Sequence, residues 1–134
     1  MSADTQPIDV VFIAGAGRSG TTLLDRLLGS TPGAYSGGEL DRVWGVLDQP
    51  ERLCSCGRHP RACDFWTAVL EQAFGAVTPA MAGYVAALHD RVTPIRDVYR
   101  FWLPLQPGGR QRDLAEYVDA LTQLYRALAT VSRA

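Results

Sequence analysis

The chain has 134 residues, 47% of them hydrophobic, and a formal net charge of -1 at pH 7. This length suits one domain, and the balanced charge gives no reason to propose nucleic acid or a membrane surface as a partner. No apolar run approaches the roughly 18 residues of a membrane span, and no signal segment follows the polar residues 1–9. We therefore predict a cytoplasmic protein without a membrane span.

The first predicted element is an apolar strand that leads into a glycine-rich turn. We place the strand at residues 8–14, because the run is continuous in the manner of a buried parallel strand. The turn opens into a helix over residues 20–29, where leucines recur at helical spacing. Backbone N–H groups of such a turn are unpaired at the positive end of the helix dipole. The unit therefore predicts a phosphate or sulfate site.

A nucleoside triphosphate is one candidate ligand for this loop. Gly15, Gly20 and Thr22 match the pattern Gly-x4-Gly-Lys-Ser/Thr, but Thr21 occupies the position of the lysine. The chain contains no lysine, so all 13 basic residues are arginine. A triphosphate carries about four negative charges, which the lysine and a magnesium ion normally offset. The missing lysine argues against a conventional ATPase or kinase.

A dinucleotide is the second candidate. Gly15, Gly17 and Gly20 satisfy the pattern Gly-x-Gly-x-x-Gly, which alone is a weak signal. A second apolar strand ending in an acidic residue that holds a ribose should follow. Glu39 lies at about the right distance, yet residues 33–38 before it do not form a plausible central strand. A lysine-less nucleotide-binding or dinucleotide-binding protein therefore stays as an alternative, beside a catalytically silent fragment.

Residues 17–24 resemble the Arg-Ser-Gly-Thr-Thr/Ser-Leu signature of carbohydrate and bacterial sulfotransferases. The resemblance implies that the loop binds the phosphosulfate of 3′-phosphoadenosine 5′-phosphosulfate (PAPS). The donor-binding residues it implies are Gly17, Arg18, Ser19, Gly20, Thr21 and Thr22. A phosphosulfate carries about two negative charges at this end, which one arginine with hydroxyls and amides can balance. No metal ion is therefore expected.

Further along, residues 36–40 look like the Gly-Glu element of tyrosylprotein and bacterial sulfotransferases. The resemblance implies that Glu39 is the catalytic base, which takes the proton from a hydroxyl of a small-molecule or glycan acceptor. It also places Arg18 beside the sulfuryl or bridging oxygens, where charge develops. Residues 53–66 are similar to a cysteine-rich segment of bacterial members, and residues 124–129 to the helix before their next core strand.

The fold class implied is α/β, the P-loop NTPase-like sulfotransferase fold. Family members are generally longer, and the strand that holds the donor's 3′-phosphate has no counterpart here. Residues 1–134 are thus expected to form the N-terminal portion of one sulfotransferase domain, with a phosphosulfate-binding unit at 8–30 and a helical region at 40–134. Such a truncated portion should be mostly helical, with one or two parallel strands. Without the missing strands it should expose apolar surface and self-associate.

The helical region shows several start and stop signals. A short helix is predicted at residues 39–47, and a second one that Asp64 caps and Gly75 ends. Thr78 and Pro79 read as the cap and first residue of a third helix. Pro94 then interrupts a helical stretch that reaches Trp102. Apolar positions predict a final helix, at Leu114, Tyr117, Leu121, Leu124, Leu128 and Val131.

Three cysteines form the remaining candidate group. Cys54, Cys56 and Cys63, with His59 between them, offer four groups that can bind zinc. Cys-x-Cys followed by a single histidine is not a usual finger spacing, and the loop is short for closing a tetrahedron. A cytoplasmic chain rarely keeps disulfides. Free thiols or one oxidised pair are therefore favoured over a metal site.

Overall fold

The computed structural model describes residues 7–47, 49, 51–76, 78–93 and 109–133. Within these residues the chain forms five α-helices: α1 Thr21–Gly29, α2 Val43–Leu47, α3 Asp64–Phe74, α4 Pro79–Val92 and α5 Gly109–Arg133. Turns of 3-10 helix precede α2 at Leu40–Arg42 and α3 at Pro60–Ala62. None of the helices in the described part of the chain is long and apolar enough to cross a membrane.

The core lies between α2, α3, α4 and α5. The long α5 packs against both α3 and α4, and α2 packs against α4. The largest side chains fully enclosed there are Trp44, Leu47, Val69, Leu88, Val92 and Leu124. The apolar positions predicted for the final helix point into this core, with Leu124 fully buried. Their spacing follows the helical period, so the predicted final helix is confirmed.

The helix ends follow the local signals with one correction. The Thr78 hydroxyl accepts a hydrogen bond from the Met81 N–H at 3.2 Å, which confirms Thr78 as the cap of α4. At α3 the N-cap is Cys63 and not Asp64, because the Cys63 backbone is extended whereas Asp64 is already helical. The predicted interruption at Pro94 and the rest of that stretch up to Trp102 lie outside the described residues.

The predicted strand at residues 8–14 is not formed. The described residues contain no strand, and the side chains of Val10, Val11 and Phe12 are 55%, 74% and 87% exposed. A strand is stabilised by hydrogen bonds to a neighbouring strand. Residues 33–36, which follow α1, are irregular as well. The prediction of one or two parallel strands is thus wrong for the described residues, which are mostly helical.

Helix α1 lies outside the core. It contains no buried residue, and its leucines are 40–64% exposed. We call the exposed apolar residues of this region the N-terminal apolar set: Val10, Val11, Phe12, Leu23, Leu24, Leu27 and Leu28. The continuous run at residues 8–14 predicted a buried strand and the spacing of the leucines predicted a helix, yet the described residues cover neither segment.

The core of the helices contains a buried phenol without a hydrogen-bond partner. The hydroxyl of Tyr117 on α5 finds no partner among the described residues, although the residue is only 4% exposed. Burial raises the pKa of Tyr117 to about 12, and the charges of Asp41 and Tyr125 act in the same direction. The neutral hydroxyl therefore loses its hydration on folding without gaining a bond in return.

We expect Tyr117→Phe to raise the free energy of unfolding at pH 7 by about 1 kcal/mol. Unfolded tyrosine titrates near 10, so the wild type should lose stability as the pH rises from about 10 to 12, and the variant should lose less. Urea unfolding at pH 7 and across that alkaline range measures both effects. Tyr84→Phe is the matched control, because the exposed Tyr84 hydroxyl donates to Glu116. A destabilised Tyr117→Phe would show that the hydroxyl has a partner.

Candidate functional site

The glycine-rich loop folds back on itself immediately before α1. The Ser19 N–H donates to the Ala16 carbonyl at 3.1 Å. Arg18 and Gly20 adopt positive φ angles of 64° and 85°, which reverse the chain direction. A Cβ atom on Gly15 would lie 2.5 Å from the Ser19 hydroxyl oxygen, so the loop closes tightly against this glycine. The loop therefore depends on glycine at Gly20, where a side chain would be strained, and at Gly15, where a side chain would meet Ser19.

The first turn of α1 offers unpaired donors. No side chain caps the helix, and the Leu24 N–H is bonded to the Gly20 carbonyl at 3.0 Å. The N–H groups before Leu24 in this turn have no intrahelical acceptor. Thr21 and Thr22 add hydroxyls at the same end, and no acidic residue lies in the turn. This end of α1 is therefore suited to an anion, with the helix dipole acting in the same direction.

Arg18 is exposed within this loop. It is the one non-glycine residue with a positive φ angle among the described residues, a conformation that costs about 1–2 kcal/mol for most side chains. A surface ion pair would be the ordinary role of such an arginine, but none is formed with any described residue. Its guanidinium is thus available to an anionic ligand.

Glu39 lies at the start of the 3-10 turn Leu40–Arg42. Its side chain is 73% exposed and forms an ion pair with Arg42 at 3.2 Å. It makes no hydrogen bond that would cap the turn. A purely structural role as the acid at the start of a helix is therefore not supported by a capping bond, and the carboxylate is accessible to solvent.

A groove of about 390 Å³ connects the first turn of α1 with Glu39. Thr22 and Glu39 both line it, whereas residues 17–21 do not. Thr22 is therefore the one predicted donor-binding residue that shares this groove with the predicted base. Residues that the sequence did not place in this groove complete its walls, among them Asp25, Tyr35, Ser36, Cys54 and Trp66.

Contacts between distant residues hold the groove together. The Tyr35 ring stacks on Phe65 of α3 with a centroid distance of 5.4 Å. The Ser36 hydroxyl donates to the carboxylate of Asp25 on α1. Residues 35 and 36 thus join α1 to the helical core. No pattern in the sequence predicts these two contacts, because each joins residues that are not neighbours in the chain.

The three cysteines come together beside this groove. The sulfur atoms of Cys54, Cys56 and Cys63 all lie within 4.8 Å of one another, and the thiols are free. Free thiols were one of the two states that the sequence favoured. The close approach of all three sulfurs was not expected from their spacing.

Comparison with known proteins connects this region to one family. Residues 9–64 match the sequence model of the Sulfotransferase family. The matched span contains the glycine-rich loop, α1, Glu39 and the three cysteines, and covers less than half of the chain. No curated protein and no solved structure matches the chain. The match supports a relationship to sulfotransferases without indicating a subtype.

Proposed function

We propose that this chain is a sulfotransferase, or the donor-binding N-terminal portion of one. The enzyme would transfer a sulfuryl group from PAPS to a hydroxyl of a small-molecule or glycan acceptor. The observation that carries the proposal is the uncapped start of α1, with Arg18 available beside it, inside a span that matches the sulfotransferase family.

The chemistry of the loop suits a phosphosulfate better than a triphosphate. Unpaired N–H groups at the start of α1, with the hydroxyls of Thr21 and Thr22, donate to the phosphosulfate oxygens. The Arg18 guanidinium supplies the one positive charge in the loop. About two negative charges require no metal ion for their compensation, whereas a triphosphate would.

Sulfuryl transfer requires a base and a stabilised leaving group. Glu39 would accept the proton of the acceptor hydroxyl, whose oxygen attacks the sulfur atom in line. The bond between sulfur and the bridging oxygen breaks, and adenosine 3′,5′-bisphosphate leaves with the electron pair. Arg18 would stabilise the charge that develops on that oxygen. The ion pair with Arg42 orients the Glu39 carboxylate at the border of the groove.

Thermal unfolding with and without adenosine 3′,5′-bisphosphate tests the donor site. A ligand at one hundred times its dissociation constant should add about 2.7 kcal/mol to the stability of the folded chain. Arg18→Ala should weaken binding about tenfold or more, because a hydrogen bond to a charged group contributes about 1.5–3 kcal/mol. Arg112→Ala, which removes an exposed arginine from α5, is the matched control and should leave the shift unchanged.

Magnesium ATP and NAD serve as competing ligands in the same experiment. A larger shift with either of them would contradict the proposal and indicate a lysine-less nucleotide-binding or dinucleotide-binding protein. A cooperative transition that no ligand moves would indicate a catalytically silent fragment. A shift with adenosine 3′,5′-bisphosphate that Arg18→Ala retains would exclude the loop as its site.

A further inference from the structure

The cysteine cluster has the dimensions of a metal site. The Cys63 and Cys54 sulfur atoms are 3.7 Å apart, and the Cys56 sulfur lies within 4.8 Å of both. In a tetrahedral zinc site with metal–sulfur bonds near 2.3 Å, two sulfur ligands are separated by about 3.8 Å. A disulfide requires a separation of about 2.0 Å. The observed distance therefore fits two ligands of one metal ion without rearrangement.

The backbone around the cluster holds the sulfur atoms in place. The Cys54 N–H donates to the Arg58 carbonyl at 2.8 Å, and the Gly57 N–H donates to the Cys54 carbonyl at 2.8 Å. Gly57 closes this turn with a φ angle of 80°. Cys63 is the N-cap of α3 and is only 4% exposed. One ligand thus belongs to the core, and the other two belong to a tight turn packed beside it.

A hydrogen bond already joins two of the sulfur atoms. The Cys63 thiol donates to the Cys54 sulfur atom at 3.7 Å. A bound cation would replace this shared proton, since thiolates are the form that binds metals.

His59 is not a ligand in this arrangement, although it lies between the cysteines in sequence. Its Nδ1 accepts a hydrogen bond from the Arg61 N–H at 3.2 Å, and its Nε2 lies 3.2 Å from the Gln49 carbonyl oxygen. Both ring nitrogens are therefore engaged. Cys56 is exposed, so water reaches the cluster and can supply a fourth ligand.

We propose that Cys54, Cys56 and Cys63 bind one Zn²⁺ ion, with a water molecule as the fourth ligand. Three thiolates select a thiophilic cation over calcium or magnesium, which prefer oxygen ligands. The ion would tie the turn at residues 54–57 to the start of α3, and so fix one wall of the groove that Cys54 lines. The proposal does not depend on the proposed sulfuryl transfer.

Titration of the reduced, metal-free chain with Co²⁺ tests the site directly. One equivalent of Co²⁺ should give the sulfur-to-cobalt charge-transfer band and the visible bands of a tetrahedral ion, and Zn²⁺ should abolish both. Cys56→Ser should weaken Zn²⁺ binding by more than about 100-fold, since even indirect partners of metal ligands contribute 10–100-fold. Cys56 is exposed, so this variant should fold. Far-ultraviolet circular dichroism verifies that it does.

One further variant makes the assignment specific. His59→Ala removes the other side chain of this segment that can bind zinc, and it should retain Zn²⁺ binding because both ring nitrogens have other partners. Absence of the charge-transfer band, or equal Zn²⁺ affinity of Cys56→Ser and the wild type, would overturn the proposal. Loss of binding in His59→Ala would overturn the ligand set. Spontaneous oxidation to a disulfide in the presence of Zn²⁺, detected by mass spectrometry, would also overturn the site.

Discussion

Replacing Glu39 by glutamine is expected to lower sulfuryl transfer by about 100-fold or more and to leave donor affinity nearly unchanged. Glutamine keeps the size of the side chain but cannot accept the proton of the acceptor hydroxyl. The ion pair of Glu39 with Arg42 lies at the surface and contributes at most about 1 kcal/mol to folding. The fold and the loop at residues 15–20 should therefore be unaffected.

Two measurements on the same protein separate catalysis from binding. Release of adenosine 3′,5′-bisphosphate from PAPS, followed with a panel of hydroxyl acceptors, gives the rate of transfer. The ligand-induced shift in thermal unfolding gives the donor affinity. Asp41→Asn is the matched control, because Asp41 is a neighbouring exposed carboxylate that faces His89 at 3.6 Å. It should change the transfer rate by less than about threefold.

The outcomes for Glu39→Gln distinguish the two roles that the residue offers. A loss of transfer alone supports a catalytic base. An equal loss of transfer and donor binding would contradict that role and indicate a structural one. Full activity in Glu39→Gln would place the base elsewhere, and the other carboxylate that lines the groove, Asp25, would then be the residue to test.

The helices could be predicted from the sequence because their signals are local. Thr78 and Pro79 mark the start of α4 within one turn of the chain, and the bond from Met81 to the Thr78 hydroxyl joins residues only three positions apart. Leu124 and Leu128 lie in the core because the helical period brings them to one face. Such contacts need no knowledge of distant residues.

The prediction of a strand at residues 8–14 was wrong because strand formation depends on residues far away in the chain. The apolar run at residues 8–14 has the composition of a buried strand, but a strand forms only beside another strand. The described residues provide no such neighbour, so Val11 and Phe12 remain exposed. Composition therefore indicates that this segment is suited to burial, and the rest of the fold decides whether burial occurs.

In the candidate site too, features with a local sequence signal could be predicted and features that depend on distant residues could not. The assignment of Arg18 and the residues around it to a donor site rests on a continuous motif and stays a prediction. The groove depends on the stacking of Tyr35 on Phe65, which no local sequence pattern predicts. The cysteines were discounted because their spacing is not that of a zinc finger. The 3-10 turn Pro60–Ala62 nevertheless brings Cys63 back to Cys54 within nine residues.

The chain is expected to self-associate through the N-terminal apolar set. Each large apolar side chain removed from water contributes about 1.5–3 kcal/mol, and the seven members of this set are 40–87% exposed. The double variant Leu23→Ser/Leu27→Ser should therefore shift the chain toward the monomer. It should also lower the fluorescence of a dye that binds exposed apolar surface. Light scattering after size exclusion over a range of protein concentrations measures the first effect.

The same double variant should lower self-association without changing the stability of the fold, because α1 contributes no buried residue to the core. Its thermal unfolding at low concentration should match that of the wild type within about 0.5 kcal/mol. Val118→Ser is the matched control: Val118 on α5 is 51% exposed, comparable to Leu27 at 58%, but lies outside the N-terminal apolar set. It should leave the association unchanged. A wild-type chain that is monomeric at every concentration, with a sharp melt independent of concentration, would contradict association through this set.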